Sequence, residues 1–535
     1  MSAAPRPAST TPTKEQQTMP APTQETFDRL AALVAIDEPQ QREQRAVREV
    51  FTGRELATIP VGTADDAAAA ISKARAAQRE WAARPVEERA AIFRRYHRLV
   101  LDHRAELMDM AQAETGKARV AAQEEVLDIA LNARYYATRA RRLLAPRRAQ
   151  GLFPGLTRTI VNHVPKGVVG VISPWNYPMT LAVSDAIPAL IAGNAVVIKP
   201  DSSTPYCALA CVELLYEAGL PRELFAVVPG PGAVVGGEIV QRSDYVMFTG
   251  STATGRTLAT QAAERLIGFS AELGGKNAMI VAQGADLRAV AQAATRACFS
   301  NAGQLCISIE RIYVEEGVAD EFTKAFADAV AGMRLGAEYE FGPAMGSLVS
   351  QAQLDTVQEH VRDALNKGAA VVAGGQHRPD LGPFFHEPTV LTGVTEEMTC
   401  YAEETFGPLV SIYPVASVDE AIERANSTEY GLNASVWAAT AKEGEAIARR
   451  VHAGTVNVNE GYGPAFGSTD APMGGMGASG MGRRHGADGL LKYTESQTVA
   501  TQRLIDLGGP SWLPDAAWNA VLPHAVRAMA LLPGR

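Results

Sequence analysis

The sequence predicts an α/β protein with two lobes that join near residue 273. From residue 166 onward, short β-branched runs such as "GVVGVI" and "NAVVIKP" alternate with helical stretches. Continuous apolar runs of this kind are typical of a parallel sheet that helices cover on both faces. The alternation resumes after residue 273 with "AMIV", "RIYV" and "VSIYPV". A chain of 535 residues is also too long for one hydrophobic core, so two or three domains are expected.

The N-terminal part of the chain has two textures. Residues 1–24, "MSAAPRPASTTPTKEQQTMPAPTQ", are rich in Pro, Thr, Ser and Ala and contain no apolar core of a secretory signal. They predict a disordered segment. Residues 64–145 are rich in Ala, Arg and Glu with helical periodicity, which predicts several packed helices.

Composition excludes several classes of function. The net charge is −9 and no basic cluster could follow a phosphate backbone, so a nucleic-acid partner is not expected. The nine histidines are scattered without metal-ligand spacing, so no metal site is expected. Five cysteines in a long chain argue against a disulfide framework and for a reducing cytoplasm. No apolar run approaches the roughly 20 residues of a membrane span.

Polar and glycine-rich segments follow the apolar runs of the first lobe. Ligands of parallel sheets bind beyond the carboxyl ends of the strands. In "FTGSTATG" (248–255) a helix begins with Ser251 or Thr252 as its cap, and its free N–H groups could bind a pyrophosphate. An ordinary helix cap is the alternative. Lys199 ends a buried strand and could meet a phosphate or ribose, or be a solvated lysine.

The segment "PGPGAVVGG" (229–237) has the look of a dinucleotide fingerprint. Its spacing is G-x-G-x-x-x-G, and no acidic residue ends a strand about 20 residues later. A turn with tight helix packing is therefore favoured there.

Three residues could carry chemistry. Cys306 lies in "NAGQLCISIERIYV" beside a glycine-bearing turn, where a thiol either packs as a small hydrophobe or acts as a nucleophile. Glu272 precedes two glycines in "AELGGKN" and could be a general base if burial raised its pKa, or be merely solvated. Asn176 could supply an amide donor. With a phosphate-binding helix start, these groups define oxidation of an aldehyde to a carboxylic acid with a nicotinamide cofactor.

Seven motifs then occur in one order: "PWNYP", "KP", "FTGS", "ELGGKN", "GQLC", "EETFGP" and "PMGGMGASGMGRRHG". From about residue 50 to 500 the chain resembles the aldehyde dehydrogenase family. Glu272 precedes Cys306 by 34 residues, as the base of that family precedes its nucleophile.

The resemblance implies a role for each matching residue. Cys306 attacks the aldehyde as a thiolate, and the Asn176 side chain with the Cys306 backbone N–H forms the oxyanion hole. Glu272 activates the water that cleaves the thioester. The implied cofactor-binding residues are Ser173, Pro174, Trp175, Asn176, Lys199, Pro200, Asp201, Ser202, Gly250, Ser251, Leu273, Glu404 and Phe406.

The resemblance also implies the architecture and assembly. It predicts a Rossmann-like cofactor-binding domain, an α/β catalytic domain and a small β oligomerisation arm, in a homodimer or homotetramer. The predicted bounds are 25–150 with 166–272 for the cofactor domain, 273–470 for the catalytic domain, 151–165 with 485–505 for the arm, and 506–535 for a C-terminal extension.

The cofactor preference is predicted from "KPDS". NAD-preferring relatives usually read K-P-x-E, and that glutamate repels a 2′-phosphate. Ser202 removes this charge, and Lys199 adds a positive one. NADP is therefore expected, with NAD possible and with Asp201 turned toward solvent.

The substrate is predicted with less support from the residues. Within the family, the sequence resembles the bacterial NADP-dependent succinate-semialdehyde dehydrogenase branch, in particular its actinobacterial second paralogue. Well-studied enzymes of that branch clamp the substrate carboxylate with two arginines, whereas Ser184 and Ser300 occupy these positions here. Another group binds the carboxylate, or the substrate is another aliphatic or aromatic aldehyde.

Two further readings remain open at the sequence level. A CoA-acylating dehydrogenase would typically lack Glu272, and a catalytically retired structural protein would lack nucleophile or base.

Many family members have a glutamate proposed to relay protons where Arg484 stands here, which puts that relay in doubt. The amphipathic stretch 512–532, interrupted by Pro523, is expected to pack on its own subunit or a neighbour, with membrane-surface contact as the alternative.

Overall fold

Helices dominate the first part of the chain. The structure, a computed structural model, describes residues 22–151, 157–503 and 507–529. Its first elements are α1 (Gln24–Ala31), β1 (Gln44–Arg48), β2 (Glu55–Pro60), α2 (Ala64–Ala83), α3 (Val86–Asp102), α4 (Arg104–Thr115) and α5 (Arg119–Leu143). The helices predicted over 64–145 are confirmed. Residues 1–21 of the predicted disordered segment lie outside the described residues, and Thr23 caps the helix that begins at Gln24.

A six-stranded sheet follows. Its region contains β3 (Arg147–Ala149), β4 (Thr157–Pro165), β5 (Val168–Ile172), α6 (Pro178–Val183), α7 (Ala186–Ile191), β6 (Ala195–Lys199), α8 (Pro205–Glu217), β7 (Phe225–Val227), α9 (Gly237–Arg242), β8 (Tyr245–Thr249), α10 (Thr252–Glu264) and β9 (Gly268–Glu272). Strands β5 to β9 pair in parallel in the order β9-β8-β5-β6-β7. Strands β5, β6, β7 and β8 are fully buried, as the continuous apolar runs predict.

A second α/β unit begins directly after the first sheet. Its elements are β10 (Asn277–Val281), α11 (Leu287–Phe299), β11 (Ile309–Glu315), α12 (Glu316–Ala331), α13 (Gln351–Asn366), β12 (Ala370–Ala373), β13 (Thr389–Thr392), α14 (Thr399–Ala402), β14 (Leu409–Val415), α15 (Val418–Ala425), β15 (Tyr430–Gly431), β16 (Asn433–Trp437), α16 (Ala441–Ala448) and β17 (Thr455–Val458). Seven of these strands form one sheet in the order β12-β13-β14-β11-β10-β16-β17, parallel except for β12.

The C-terminal part of the chain returns to the first unit. It contains α17 (Gly463–Phe466), β18 (Met476–Gly477), β19 (Gly480–Met481), α18 (Asp488–Leu491), β20 (Thr494–Gln502) and α19 (Asp515–Met529). Strand β19 pairs antiparallel with β9, so Gly480 lies opposite Glu272. This pairing places the segment around Arg484 beside the end of β9.

A separate three-stranded antiparallel sheet has the order β20-β4-β3. Strand β20, from the C-terminal part of the predicted arm, pairs with β4 of its own chain over nine residue pairs. Residues 152–156 and 504–505 of the predicted arm, and residue 506 of the predicted extension, lie outside the described residues. Strand β20 is an edge of this sheet, and eight of its nine residues are exposed.

The C-terminal helix α19 buries none of its described side chains. Trp518 donates its indole N–H to the carbonyl of Leu507 at 2.9 Å, which holds the helix to the turn before it. Val521 and Val526 are each 53% exposed. Packing of this helix in the core of its own subunit is therefore not seen, and contact with a neighbour or a membrane surface stays a prediction.

Candidate active site

The carboxyl ends of β5, β8 and β9 meet the loop before β11 at a cavity of about 270 Å³. Its lining consists of Pro174, Trp175, Asn176, Thr249, Gly250, Ser251, Glu272, Leu273, Gly274, Cys306, Glu404 and Phe406. Ten of the residues that the sequence nominated therefore face one space. Lys199 to Ser202 lie at the end of the adjacent strand β6, and Ser173 lies beneath the loop after β5.

Cys306 is presented by a tightly wound loop between α11 and β11. Asn301, Ala302 and Gly303 have φ values of 52°, 54° and 71°, in the left-handed region. This conformation costs about 1 kcal/mol for a residue with a side chain. A Cβ on Gly303 would collide with the carbonyl oxygen of Gly407, so the nucleophile loop packs directly against the "EETFGP" loop.

Two amide side chains fix this loop. Asn277 Nδ2 donates to the carbonyl oxygens of Cys306 and Ser308, at 2.7 Å each. Gln304 Nε2 donates to the carbonyl of Asn301 at 3.0 Å, and its Oε1 accepts from Val349 N at 2.9 Å. Because each bonded partner is backbone, the position of the thiol is set by the main chain.

Asn176 stands beside this loop. Its side-chain Nδ2 donates to the Gln304 carbonyl at 3.1 Å. Its main-chain carbonyl accepts from Lys117 Nζ at 2.8 Å and from Asn301 Nδ2 at 3.0 Å. An amide nitrogen carries two protons, so the second is available to an oxyanion. Lys117 is fully buried and also bonds Glu125, so this pair holds Asn176 in place.

Glu272 ends β9 and is only 6% exposed. Burial raises its pKa to about 7, although Arg484 and Lys492 oppose that rise. A Cβ on Gly474 would lie 3.0 Å from Glu272 Oε1, so this glycine packs closely against the carboxylate. A carboxylate that titrates near neutral pH is suited to act as a general base.

The thiol of Cys306 is harder to ionise. Burial, with the carboxylates of Glu272 and Glu404, raises the pKa of Cys306 to about 12, and Arg484 opposes them. The thiol is therefore neutral at pH 7 in this environment, and it must lose its proton during attack. The other four cysteines, Cys207, Cys211, Cys298 and Cys400, are buried and form no disulfide.

A cluster of buried charges lies behind Glu272. Arg484 Nε is 3.1 Å from Asp185 Oδ2, and Lys492 Nζ is 3.4 Å from Asp185 Oδ1. Burial raises the pKa of Asp185, but Arg484 and Lys492 outweigh it, so the net shift is downward. Burial raises the pKa of nearby Asp128 to about 6. Ser184, at one of the expected arginine positions, donates its hydroxyl to Asp128 at 2.6 Å.

The loop 403–408 closes the other wall of the cavity. Glu310 Oε1 accepts from the N–H groups of Thr405 and Phe406 at 3.1 and 3.0 Å, and Lys276 Nζ pairs with the same carboxylate. Phe406 meets Trp175 edge to face, with ring centroids 5.6 Å apart. Glu404 accepts from Gly275 N–H at 2.9 Å, and burial raises its pKa to about 8.

The adenine side of the site has features that fit a dinucleotide. Ser251 caps α10 by accepting from Thr254 N at 3.3 Å, which leaves the first N–H groups of the helix facing outward. Buried Ser173 Oγ has no hydrogen-bond partner among the residues the structure describes. Ser202 Oγ donates to the Gly230 carbonyl at 3.2 Å. The cradle and the spare polar groups therefore fit a nicotinamide dinucleotide.

The carboxylate of Asp201 would oppose the 2′-phosphate of NADP if it pointed into the cofactor site. Its carboxylate accepts from the N–H and hydroxyl of Ser203 at 2.9 and 2.6 Å, so it is held within its own turn. Burial lowers the pKa of Lys199, and Asp201 opposes that shift.

In the segment 229–237, a Cβ on Gly230 would press on Val235 and the Gly62 carbonyl, which agrees with the predicted turn and close packing.

Sequence reasoning did not identify the residues that hold the site together. They are Lys117, Glu125, Lys276, Asn277, Asn301, Gln304 and Glu310. Lys276 and Asn277 complete the "ELGGKN" motif, so their position in a motif was an available signal. Arg45 was also missed: it is exposed on β1 and adds positive charge near Lys199.

Two other properties concern the described ranges as a whole. No group of three or more His, Cys, Asp or Glu side chains within 22–151, 157–503 and 507–529 is arranged to hold a metal ion. Across the same part of the chain, each helix is too short or too polar to span a bilayer.

Comparison with known proteins decides the family. The profile of the Aldehyde dehydrogenase family matches residues 36–499. The chain belongs to the aldehyde dehydrogenase family. The resemblance drawn from the ordered motifs, and with it the fold class, is confirmed.

Relatives and solved structures agree with this assignment. The aldehyde dehydrogenase is 68% identical over 517 residues to a candidate NADP(+)-dependent succinate-semialdehyde dehydrogenase of Mycolicibacterium smegmatis, over 97% of this chain and 100% of the relative. It is 38% identical to the 3-sulfolactaldehyde dehydrogenase of Pseudomonas putida, over 85% of this chain and 93% of that one. The succinate-semialdehyde dehydrogenase structure from Burkholderia pseudomallei matches with a TM-score of 0.82 at 35% identity, over 86% of this chain and 95% of that chain.

Proposed function

We propose that this aldehyde dehydrogenase oxidises succinate semialdehyde to succinate with NADP, through a thioester on Cys306. The observation that carries the reaction is the convergence of Cys306, Glu272 and Asn176 on one cavity. A nucleophile, an oxyanion donor and a base with a pKa of about 7 are the protein groups this oxidation needs.

The residues act in a definite order. Cys306 Sγ gives its proton to water in the cleft as it bonds to the aldehyde carbon, and the carbonyl oxygen becomes an oxyanion that Asn176 Nδ2–H and the Cys306 N–H can stabilise. The hydride on the same carbon would pass to NADP when that cofactor is bound in this cleft. Collapse of the oxyanion gives the thioester on Cys306. Glu272 then takes a proton from water as the water attacks, and Cys306 leaves as the thiolate while the acid is released.

NADP is supported from two sides. The relatives at 64–68% identity carry NADP(+) in their names. In this chain Ser202 presents a small neutral hydroxyl at the end of β6, with Lys199 and Arg45 as nearby cations. A 2′-phosphate meets no carboxylate at position 202, and the carboxylate of Asp201 is engaged by Ser203.

The substrate is supported by the same relatives. The 65–68% identical proteins of mycobacteria are named for succinate semialdehyde, and the 38% identical protein of P. putida for 3-sulfolactaldehyde. Both aldehydes are short and end in an anion, a carboxylate or a sulfonate. An anion-terminated short aldehyde is therefore the substrate class that the relatives share.

Assembly and location belong to the same proposal. The exposed edge strand β20 offers unpaired backbone groups to a second copy of the chain, which supports a homodimer or homotetramer. Five free cysteines support a reducing compartment, the cytoplasm.

The test is a panel of aldehydes with purified enzyme and each cofactor, ranked by kcat/KM. Succinate semialdehyde with NADP is expected to rank first, without a requirement for CoA. Cys306→Ala should abolish turnover while NADP binding, measured by fluorescence, persists. A higher kcat/KM for an uncharged aldehyde would refute the substrate, and substantial turnover by Cys306→Ala would refute the covalent route.

A further inference from the structure

Cys306 lines the cofactor cleft and also packs against an apolar cluster whose other members do not line that cleft. Its buried members are Tyr177, Leu181, Leu305, Ile307, Leu432, Tyr462 and Met473, and Cys306 and Phe466 pack against them. A hydride leaves the aldehyde carbon toward the cofactor side, so the rest of the aldehyde must extend toward this cluster. Aliphatic and aromatic walls suit the methylene groups of a short chain.

The hydroxyl ends of two tyrosines in this cluster meet at one carboxylate. Tyr177 donates to Glu124 Oε2 at 3.3 Å, and Tyr462 donates to Glu124 Oε1 at 3.0 Å. Arg296 Nη2 donates to Glu124 Oε1 at 2.8 Å. The apolar cluster thus ends in a polar group made of two phenols, a carboxylate and a guanidinium.

Arg296 is the member of this group that still has N–H groups available for a further hydrogen bond. Glu124 is 9% exposed and already accepts from three donors, whereas the Arg296 side chain is 55% exposed. The guanidinium also lies 5.5 Å from the centroid of the Tyr462 ring, which orients it. A guanidinium has five N–H donors, and the bond to Glu124 uses one of them. The remaining N–H groups can donate to a second carboxylate.

The other cations near Cys306 are engaged elsewhere. Lys117 bonds Glu125 and the Asn176 carbonyl. Arg484 and Lys492 pair with Asp185 on the Glu272 side, and the Nη2 group that Arg484 leaves without a hydrogen-bond partner among the residues the structure describes is buried there. Ser184 donates to Asp128, whose negative charge would oppose a substrate carboxylate at that point. An anionic tail is therefore disfavoured near Ser184 and favoured near Arg296.

We propose that Arg296, held by Glu124 and Tyr462, binds the distal anion of the aldehyde and makes the enzyme selective for short aldehydes that end in a carboxylate. This inference rests on the proposed function and names the residue that recognises its substrate. Arg296 lies on α11 one turn before Ser300, whose hydroxyl lies at the phenols of Tyr177 and Tyr462. The small Ser300 leaves room for the substrate tail, and the cation reaches it from one turn earlier on the helix.

The test compares succinate semialdehyde with butanal, an uncharged aldehyde of the same carbon number. Arg296→Gln removes the charge, Arg296→Lys keeps it without the planar fork, and Arg288→Gln is the matched control. Arg288 is exposed on the same helix, two turns earlier. Arg296→Gln should lower kcat/KM for succinate semialdehyde about 10- to 100-fold, mainly through KM, because a charge-assisted hydrogen bond is lost. Butanal should be unaffected, and Arg296→Lys should fall between the two.

Other results for the Arg296 variants or for the wild type would contradict either this inference or the proposed function. An equal loss for both aldehydes would show that Arg296 only maintains the structure, and an unchanged KM for succinate semialdehyde would show that it does not bind the anion. Either result overturns this inference while the wild-type preference for succinate semialdehyde stands. A wild type that uses butanal as well as succinate semialdehyde would instead overturn the proposed function itself.

Discussion

Arg484 Nε lies 3.1 Å from Asp185 Oδ2, although 299 residues separate the two in sequence. Arg484 is 7% exposed, and its Nη2 has no hydrogen-bond partner among the residues the structure describes. The charges that face Glu272 are Arg484, Lys492, Arg483 and Asp185. Among them Arg484 has the largest effect in lowering the pKa of the Glu272 carboxyl, and it also lowers that of the Cys306 thiol. The arginine that replaces the relay glutamate of many relatives thus stabilises the base as an anion.

Replacement of Arg484 by Gln should therefore displace the pH profile of thioester hydrolysis. The base acts when ionised, so the rate rises with pH through a pKa of about 7. Loss of the nearby cation should raise that pKa by about 1 unit or more, which moves the rising limb to higher pH. Single-turnover release of acid across the neutral pH range measures it.

Arg484→Lys is the control because it retains a positive charge at the same place. Its profile should stay close to that of the wild type even if the enzyme is less stable. An Arg484→Gln enzyme with reduced rate but an unmoved limb would mean that the arginine supports the fold without tuning the base. Removal of one partner of a buried pair costs about 3–5 kcal/mol, so unfolding should be followed in parallel.

A matched pair of glycines tests how tightly the nucleophile loop is held. Gly303 and Gly53 have φ values of 71° and 75°, but an added Cβ meets the Gly407 carbonyl at Gly303 and open space at Gly53. Gly53→Ala should cost about 1 kcal/mol from backbone strain alone. Gly303→Ala should cost several kcal/mol more and should also lower kcat, because the loop must shift Cys306.

Urea unfolding and the rate of the first turnover measure both effects. Equal destabilisation by the two substitutions would show that the loop relaxes freely around the new methyl group. A Gly303→Ala enzyme that is destabilised yet acylates at the wild-type rate would show that packing on Gly407 does not position the thiol.

The sequence predicted those parts of the site that depend on local order. Glu272 was nominated because it ends a strand, where parallel sheets place their ligands, whereas Cys306 precedes β11 and was nominated through the ordered family motifs. The left-handed conformation of Asn301 and Ala302 was not predicted, because Ala rarely adopts it and contacts distant in sequence enforce it. Lys276 with Glu310 and Arg484 with Asp185 were missed for a related reason: each pairing forms only when separate elements meet.

The fold was predicted well where strands are buried on both faces and less well at its margins. Strands β5, β6 and β8 carry continuous apolar runs, which leave little choice of structure. Strand β20 is polar and exposed, so its composition could not tell pairing within the chain from pairing between chains. Helix α19 has an amphipathic pattern but buries none of its described side chains, since a pattern does not name its partner.

Glu272→Gln should separate the two halves of the reaction. Thiol addition and hydride loss precede the step that needs the base, so the variant should release one equivalent of reduced cofactor and then stall. Glu272 is buried, and Gln has nearly the same size and shape, so the substitution should leave the packing of the site intact. A stall after the first turnover would then report loss of the base and not a misfolded site. Stopped-flow absorbance of the reduced cofactor measures the burst. A variant without a burst but with slow steady turnover would place the role of Glu272 before hydride transfer.

The choice between NADP and NAD should depend on the charge at position 202. Ser202 Oγ points to the Gly230 carbonyl, 3.2 Å away, and leaves the end of β6 without a carboxylate at that position. A glutamate there would repel a 2′-phosphate and accept from the ribose hydroxyls instead. One such charge conflict in a partly hydrated site is worth about 1–3 kcal/mol, or roughly 5- to 150-fold in discrimination. Ser202→Glu should therefore reverse the preference, chiefly by raising the KM for NADP.

Ser202→Gln is the control because it adds the same bulk without the charge. It should weaken the binding of both cofactors alike and leave NADP preferred over NAD. Steady-state kinetics with both cofactors at a fixed aldehyde concentration decides the question. If the wild type uses NAD as well as NADP, or if Gln reverses the preference as fully as Glu, then charge at position 202 does not select the cofactor.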